Sequence, residues 1–514
     1  MLGYVIRRLL MAVVILFASS YLVYVLSAFA GDPLEDLRQS RDPNREALMA
    51  QRTERLNLDV SPFLRYFLWI RGALGCAAPF IAQCDLGTNL QGFQVTDLLA
   101  RAMAQTILLV TGATILAIII GITLGIVSAL RQYSGLDYGI TFMAFLFFSL
   151  PVFWVAVLLK EFGAIRFNDF LRDAGFSPFT IVFVDIVTAL AFYSAAYGAT
   201  RTKALISGGA ALAVMLLMVG VDATGWLKAP FLGIPGILVL GLLGAVVFTF
   251  LISGFRNKRA LYSGLTSVLV AVIVYFPIQG FLDDSMTWPK MFALGLVTLV
   301  VGLGIGYAFG GYDRGQGMRV GGLTALWAGG LVLLDRYFQS WPAYVSHGRI
   351  RGRPIATVGS STPGFNEGFW LTGIDTLTHL ILPTAALMLV ALAGYSRYSR
   401  ASMLEIMNQD YIRTARAKGV SERAVVMKHA FRNALIPLAT LIAFDIGGLI
   451  GGAVITENVF AFTGMGQLFI QALNVVDLNP LMGFFLITGI LAMVFNLIAD
   501  LLYSVLDPRV RVKA

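Results

Sequence analysis

The sequence has little charge and few of the side chains that carry most enzyme chemistry. Its 514 residues include three histidines and two cysteines, and only 13% are Asp, Glu, Lys or Arg, against about 25% in ordinary soluble domains. Hydrophobic residues make up 58% of the chain. This composition excludes a water-soluble enzyme and a secreted disulfide scaffold, and it is typical of an all-α polytopic membrane protein.

Motifs for nucleotides and metals are also missing. The chain has no Gly-Lys pair and therefore no P-loop to hold nucleotide phosphates. His347, His379 and His429 are far apart, and no His or Cys spacing suits a zinc site. We therefore predict no catalytic residue, no metal and no cofactor bound by this chain. The excess of 38 basic over 29 acidic residues indicates cytoplasmic membrane loops and no nucleic-acid surface.

What the sequence does contain is a series of apolar runs of about 20 residues, the length that crosses a bilayer. Twelve such runs lie near 9–30, 104–130, 138–159, 179–200, 204–221, 229–253, 260–281, 290–310, 320–337, 374–394, 434–456 and 481–505. The first run is longer than a signal-peptide core and has no convincing cleavage site, so we interpret it as a retained anchor. The sequence predicts about twelve transmembrane helices.

The distribution of Lys and Arg orients these helices, because short cytoplasmic loops are enriched in them. Arg7 and Arg8 place the N-terminus in the cytoplasm, and twelve crossings return the C-terminus to the same side. One loop departs from this pattern: Arg349, Arg351 and Arg353 lie where the count predicts an external segment. We keep that loop outside, because the strongly basic loop that follows one crossing later must then be cytoplasmic.

Two segments are too polar to cross the membrane. Residues 31–103 form a long outer loop of mixed charge, and residues 395–433 form what we call the basic loop. Cys76 and Cys84 both lie in the outer loop, where an oxidising compartment allows a disulfide between them. The alternative is a pair of buried thiols.

The basic loop holds eight of the 38 basic residues. Apolar residues at three- and four-residue steps predict a helix over 400–416, which Gly419 ends as a C-cap, and Ser421 is placed to cap a second helix. Such a projection suits a groove on a cytoplasmic partner protein. An interfacial helix on anionic lipid and a plain positive-inside bias are equally compatible with the pattern.

Acidic residues inside apolar runs are candidates for a translocation path. Asp185 and Asp500 lie near helix ends, which favours solvated roles, whereas Asp445 lies in the middle of a run. It precedes four glycines that allow close helix approach. The candidate path residues are Asp445, Gly447, Gly448, Gly451 and Gly452. A structural partner for Asp445 is as well supported as a substrate contact.

Two stretches of the basic loop are familiar. Tyr411–Gly419 and His429–Pro437 resemble the coupling loop of bacterial ABC importer permeases, in the dipeptide and oligopeptide branch. Arg413 stands where the broader importer pattern has Glu. This departure is usual in the peptide branch, so it narrows the choice of subfamily. Further similar motifs, in the family's order, are Arg7–Leu9, Glu54–Asp59, Asp85–Thr88, Ser149–Trp154, the glycine run at 447–452 and Asp507–Arg509.

The resemblance implies a type I importer core of about six helices, interrupted by about six inserted helices that carry no motif known to us. The implied division is a first helix at 1–30, the outer loop 31–103, core helices at 104–160, an insert at 161–373, and core helices with the basic loop at 374–514. It also implies that the basic loop contacts an ATPase through Tyr411, Arg413, Ala415, Arg416, Ala417, Lys418 and Gly419. For the insert, a peripheral layer against lipid or the partner permease is favoured over a docking site for an accessory protein.

The function implied is that of a non-catalytic permease subunit in the bacterial inner membrane that imports dipeptides or oligopeptides. Its implied partners are a second homologous permease, two ATPase subunits or one fused ATPase that bind ATP and Mg²⁺, an extracytoplasmic substrate-binding protein, and the lipid bilayer. Nickel or another small solute is the alternative cargo. The rival classes are an ion-coupled carrier, which predicts inverted repeats, and a membrane enzyme, which predicts a cluster of acids or histidines.

Overall fold

The computed structural model describes residues 2–77, 83–173, 175–196, 198–255, 257–282 and 285–506. This part of the chain is built from α-helices, and its only β-type pairing is an isolated bridge between Thr88 and Gln94. The motif Asp507–Arg509 lies outside the described residues. The predicted all-α membrane fold is confirmed.

Eleven of the described helices are long and apolar enough to cross a bilayer, and a bent pair brings the number to twelve if it crosses as one span. The bent pair joins Gly135–Ser149 to Val152–Arg172 at an angle of 105°. Pro151 lies at the bend. Because proline has no amide hydrogen, it does not continue the hydrogen bonding of the first helix. Each of the twelve predicted runs coincides with one of these helices or with the bent pair.

Packing divides the chain into two compact units. The first unit comprises Met1–Gly163, Thr357–Ser360 and Leu380–Ala514. Its N-terminal helices are α1 Leu2–Phe29, α2 Glu35–Gln39, α3 Arg45–Arg55, α4 Pro62–Ala77, α5 Val95–Leu130, α6 Gly135–Ser149 and α7 Val152–Leu158. A buried cluster that includes Tyr24, Tyr66, Leu99 and Met482 packs the outer-loop helix α4 against membrane helices. The outer loop is therefore a folded part of this unit.

The second unit comprises Ala164–Ala356 and Ser361–His379. Its helices are α8 Arg166–Asp173, α9 Pro178–Ala195, α10 Thr200–Ala223, α11 Gly233–Ile252, α12 Lys258–Phe281, α13 Trp288–Phe309 and α14 Arg314–Ser346. Helices α13 and α14 approach closely because glycines face each other: a Cβ on Gly306 would lie 2.3 Å from the carbonyl oxygen of Gly317. The predicted insert bounds, 161–373, stay a prediction, because packing divides a chain by contact and not by ancestry.

The remaining helices continue the chain through the basic loop to the end of the described residues. They are α15 Phe369–Met407, α16 Asp410–Ala417, α17 Glu422–Ala424, α18 Phe431–Gly452, α19 Val454–Val459, α20 Met465–Asn474 and α21 Leu478–Leu506. A π-helical segment, Val425–Ala430, joins α17 to α18.

The prediction of one helix over 400–416 is wrong. Helix α15 extends through the predicted 374–394 run as far as Met407, and the chain then breaks before α16 begins at Asp410. Gln409 has an extended backbone at this break, with φ −72° and ψ 150°. The apolar spacing continues across the break, so periodicity alone did not reveal it.

Of the three arginines that oppose the predicted topology, Arg349 has a local structural role. Arg349 donates a hydrogen bond from Nη1 to the carbonyl oxygen of Pro363 at 2.6 Å. Within the same connection, the side chains of His347 and Glu367 lie 3.3 Å apart. The membrane side of this loop stays a prediction.

Candidate functional site

The basic loop folds around a small apolar cluster that it shares with Ala129 of α5 and Ala434 of α18. Ile412 and Ala415 on α16 are buried against Val425 and Val426 of the π-helical segment. Met403 at the lower end of α15 belongs to the same cluster and is fully buried. The cluster holds the short helices of the loop together and packs them against two membrane helices.

A tight turn reverses the chain after α16. Gly419 adopts φ +75°, a left-handed conformation that favours glycine, and the amide of Val420 donates to the carbonyl oxygen of Ala415 at 3.2 Å. The predicted C-cap is therefore present. Ser421 occupies the N-cap position of α17 but makes no side-chain capping bond, so the predicted role of its hydroxyl is wrong.

The outward face of the basic loop is polar and positively charged. Of the predicted contact residues, Tyr411, Arg413, Arg416, Ala417, Lys418 and Gly419 are exposed, whereas Ala415 is buried. Arg416 forms a two-bond pair with Glu422, with distances of 3.1 Å from Nε and 2.7 Å from Nη2. This pair fixes α16 to α17 across the glycine turn and orients one guanidinium on the face.

An ion pair that sequence reasoning missed holds the base of the basic loop. Arg400, near the lower end of α15, donates from Nε and Nη2 to the two carboxylate oxygens of Asp137, both at 3.0 Å. The side chain of Asp137 is only 3% exposed and that of Arg400 is 30% exposed. Asp137 also accepts from the Ser128 hydroxyl and, at 3.0 Å, from the Tyr133 amide. One carboxylate thus joins α5, the turn after it and α15.

A sequence signal for Asp137 was available. Ser134 and Asp137 have the Ser-x-x-Asp spacing that marks a helix start, and the Ser134 hydroxyl accepts a hydrogen bond from the Asp137 amide at 3.2 Å. The motif locates the helix but does not identify a distant arginine as the partner of the carboxylate.

Two glycines bring α5 and α15 together just above this ion pair. A Cβ on Gly121 would lie 2.9 Å from Cβ of Tyr395, and a Cβ on Gly125 would lie 2.5 Å from the carbonyl oxygen of Ser396. Their four-residue spacing is the small-residue pattern of tightly packed membrane helices. The hydroxyl of Ser399 donates to the carbonyl oxygen of Ile122 at 3.2 Å and adds a direct bond across the contact.

The predicted path residues all lie on α18, but they have different surroundings. Gly447 is buried, and a Cβ there would lie 3.1 Å from Cβ of Phe495 on α21. Gly448 and Gly451 are exposed and face open space, and Gly452 is the last residue of the helix. Asp445 is exposed and interacts electrostatically with the buried Tyr395.

On the opposite side of the first unit, two buried carboxylates hold the short helices together. Glu457 is fully buried and accepts from the Thr106 hydroxyl and the Gly466 amide, each at 2.6 Å, at the N-terminus of α20. Burial raises the pKa of Glu457, and these donors oppose the shift. Asp477 accepts from the Leu90 amide at 2.8 Å, and burial raises its pKa to about 6.

The outer loop is fixed to this region by the stretches that carry the family resemblance. Arg55, from Glu54–Asp59, donates to the carbonyl oxygen of Leu90 at 2.7 Å. Asn479 donates to the carbonyl oxygen of Thr88, from Asp85–Thr88, also at 2.7 Å. Cys76 and Cys84 form a disulfide with a Cα–Cα distance of 4.1 Å. Both stretches therefore contact segments that are distant from them in sequence.

The geometry agrees with comparisons to known proteins. Residues 343–512 match the family described as binding-protein-dependent transport system inner membrane component. This match covers about a third of the chain, and that part is similar to the permease family. The matched segment contains the basic loop and the helices α16 to α21, and the match together with the many apolar helices supports a multi-pass protein of the inner membrane.

Three proteins named as permeases show how the similarity is distributed along this chain. An oligopeptide transport system permease protein of Mycobacterium tuberculosis is 44% identical over 154 residues, which cover 30% of this chain and 47% of the relative. A dipeptide transport system permease protein of Escherichia coli is 43% identical over 140 residues, covering 27% and 41%. An oligopeptide transport system permease protein of Bacillus subtilis is 25% identical over 99% of both chains. The stronger similarity thus spans less than half the length of these first two relatives.

Proposed function

We propose that this chain is the membrane-spanning permease subunit of an ATP-driven importer, and that the basic loop transmits force from a cytoplasmic ATPase. The observation that carries the proposal is the combination of an exposed basic face, an apolar cluster shared with α5 and α18, and the Arg400–Asp137 ion pair. The ion pair connects the loop to α6, and the Ser128 hydroxyl, which contacts both partners, connects it to α5. Displacement of the loop therefore moves membrane helices. The permease itself hydrolyses nothing in this proposal, because ATP and Mg²⁺ belong to the ATPase.

The substrate class we propose is dipeptides or oligopeptides. Relatives named as oligopeptide and dipeptide permeases support this class. The exposed face of α18 with Asp445, Gly448 and Gly451 is the proposed lining of the path, since small side chains leave room for a cargo of variable shape. We propose a second, homologous permease as the other half of that path.

Outside the membrane, we propose that the outer loop receives an extracytoplasmic substrate-binding protein. Its support is the folded, disulfide-containing segment held by Arg55 and Asn479. A disulfide belongs to an oxidising compartment. With Arg7 and Arg8, this supports our proposal that both chain termini lie on the cytoplasmic side. Residues 161–373 are the proposed insert in the importer core.

Coupling follows from preferential binding of nucleotide-bound ATPase to one state of the permease pair. A ligand shifts a two-state equilibrium only by its difference in affinity for the two states. Because the basic loop is attached to α5 and α15, a change at its face alters how these helices present the path. The loop therefore acts as the mechanical link between nucleotide state and membrane state.

The first test is purification of this chain after co-expression with its neighbouring genes. We expect an ATPase with a P-loop to copurify stoichiometrically and the preparation to hydrolyse ATP faster when binding protein and peptide are added. Absence of any copurifying ATPase would contradict the proposal.

The second test addresses the face of the basic loop. Ala417→Glu adds bulk and negative charge at an exposed position of α16, whereas Ala50→Glu makes the same change at an exposed position of α3. We expect Ala417→Glu to reduce ATPase copurification and peptide uptake, because the carboxylate opposes the basic face, with membrane insertion unchanged. Equal copurification of the ATPase by the two variants would refute the coupling role.

A further inference from the structure

The second unit contains an apolar groove between three membrane-spanning helices. Helices α12, α13 and α14 enclose about 370 Å³, a volume within the range of ligand pockets. Residues such as Val274, Leu282, Leu294, Val301 and Leu333 line it. Because the lining lies on helices that cross the bilayer, the groove opens to hydrocarbon and not to water.

The few hydroxyl groups in the lining are already engaged. Ser267 donates to the carbonyl oxygen of Ser263 at 2.9 Å, and Thr298 donates to that of Leu294 at 2.8 Å. A polar ligand in the groove would lose its hydrogen bonds to water without replacing them. The lining therefore selects a hydrocarbon chain.

One end of the groove is marked by positive charge. Lys290 precedes Leu294 by one helical turn on α13 and shares its face, and Arg336 follows Leu333 by one turn on α14. The two helices are antiparallel neighbours, with Thr298 against Gly329, so both cations lie at the same end. Lys290 is exposed.

Buried polar atoms at this end have no partner among the described residues. They are Nε of Arg336 and both amide atoms of Gln279. Gln279 lies one turn beyond Tyr275 on α12, at the level where Tyr275 bonds to Asp335 on α14. Buried polar groups are normally hydrogen-bonded. Of these two residues, Arg336 shares the groove face of α14 with Leu333, so its Nε is the buried donor left for a group at this end of the groove.

We propose that the groove holds one acyl chain of a membrane phospholipid, with the lipid phosphate at the end marked by Lys290 and Arg336. The hydrocarbon fills the apolar lining, and the phosphate accepts hydrogen bonds from the lysine and the arginine. Charge-assisted bonds to phosphate are the strongest that these side chains form. The insert thereby carries a lipid site that is separate from the import path on α18.

The test uses the full chain reconstituted in vesicles of phosphatidylcholine and phosphatidylglycerol that contain a trace of phospholipid with a photoactivatable acyl chain. After illumination, labelled peptides are mapped by mass spectrometry. We expect labelling concentrated on α12, α13 and α14. Labelling spread evenly over these helices and the exposed helix α9 would overturn the proposal.

Matched variants separate the two halves of the site. Gly330→Leu fills the groove from a lining position where a Cβ meets nothing within 4 Å, and Gly304→Leu makes the same change at an equally open position outside the lining. We expect at least about a fivefold loss of groove labelling for Gly330→Leu and none for Gly304→Leu. Equal labelling of both variants, with unchanged elution and thermal unfolding, would overturn the proposal.

The phosphate contact is tested with Lys290→Gln combined with Arg336→Gln. We expect labelling by the phospholipid probe to fall about tenfold or more, because each cation at a membrane surface strengthens anionic lipid binding about fivefold. A diacylglycerol probe, which lacks phosphate, should label this variant and the unchanged chain equally. Loss of labelling by both probes, or by neither, would refute the assigned headgroup position.

Discussion

The two units each bury an aspartate within or beside the membrane helices, but the two carboxylates have different partners. In the first unit, Asp137 is paired with a guanidinium, that of Arg400. In the second unit, Asp335 is fully buried and accepts from the amides of Leu232 and Gly233, at 2.6 and 3.0 Å, and from Tyr275 at 2.6 Å. Asp335 thus holds the N-terminus of α11 through neutral donors.

The difference shows what each unit requires of a buried charge. Asp137, on α6, connects α6 and α5 to the base of the basic loop, which in the proposed mechanism must move as one body with the membrane helices. Asp335 connects α11, α12 and α14 within the second unit. We infer that the first ion pair serves transmission and the second network serves stability. Four predictions test this comparison.

The largest effect is expected from Asp137→Asn. The change removes the negative charge, and loss of a buried ion-pair partner costs about 3–5 kcal/mol, less here because Arg400 is 30% exposed and partly solvated. We expect peptide uptake per inserted molecule to fall about tenfold or more. The measurement is uptake into vesicles normalised to the amount of assembled complex.

Asp335→Asn is the matched control for that change. The side-chain amide nitrogen of the new asparagine is a donor and would face other donors at this site. Thermal stability should therefore decrease, while uptake per assembled complex stays near normal. If Asp335→Asn abolished uptake as completely as Asp137→Asn, the division of roles between the two units would be wrong.

The next effect concerns packing within the second unit. Gly306→Val places a Cβ within 2.4 Å of the backbone of α14, whereas Gly304→Val meets nothing within 4 Å. Overpacking costs about 1–3 kcal/mol, so Gly306→Val should lower the midpoint of thermal unfolding and Gly304→Val should not. Equal midpoints for the two variants would contradict the close approach of α13 and α14.

A smaller effect is expected when, in each unit, one hydroxyl that donates a hydrogen bond to a buried carboxylate is removed. Thr106→Val acts on Glu457 and Tyr275→Phe acts on Asp335. Thr106→Val should cost about 1–3 kcal/mol of stability, the penalty for leaving a buried acceptor unsatisfied. Tyr275→Phe should cost only about 0.5–1.5 kcal/mol, because the Gln339 amide still donates to the same oxygen of Asp335. We expect uptake to decrease only for Thr106→Val, since only Glu457 belongs to the unit with the proposed path; a decrease for Tyr275→Phe alone would reverse the comparison.

The smallest effect is the dependence of stability on pH in the first unit. The folded-state pKa of Asp477 is about 6, above its usual 3.8, so the folded form binds this proton more tightly than the unfolded form. The resulting stabilisation is full below about pH 4 and is lost as the pH rises through 6. Thermal unfolding of Asp477→Asn should lack this component, and an unchanged pH profile would contradict it.

Much of the fold followed from local sequence. Apolar length alone located all twelve candidate spans, because a bilayer requires about 20 apolar residues of any helix that crosses it. Gly419 was recognisable as a helix end because only glycine adopts φ > 0 without cost. The break at Gln409 was not recognisable, since the apolar spacing runs through it.

The candidate site was only partly predictable for the same physical reason. The exposed positions of the basic loop are a local property of short helices, and six of the seven predicted contact residues lie on its surface. Ala415 is buried because the π-helical segment folds back over α16, which is a tertiary event. The spacing of the four glycines on α18 did not distinguish Gly447, which packs against Phe495, from Gly448, which faces open space.

The sequence by itself determined the membrane environment, the number of candidate spans and the concentration of positive charge in the basic loop, since these depend on composition and on periods within one helix. Only the tertiary structure decided that Asp137 pairs with Arg400, that Asp335 holds a helix N-terminus, and that α12, α13 and α14 enclose a groove. These features join residues that are up to 263 positions apart. A single chain's pattern does not encode such pairings locally, because they depend on how whole helices pack.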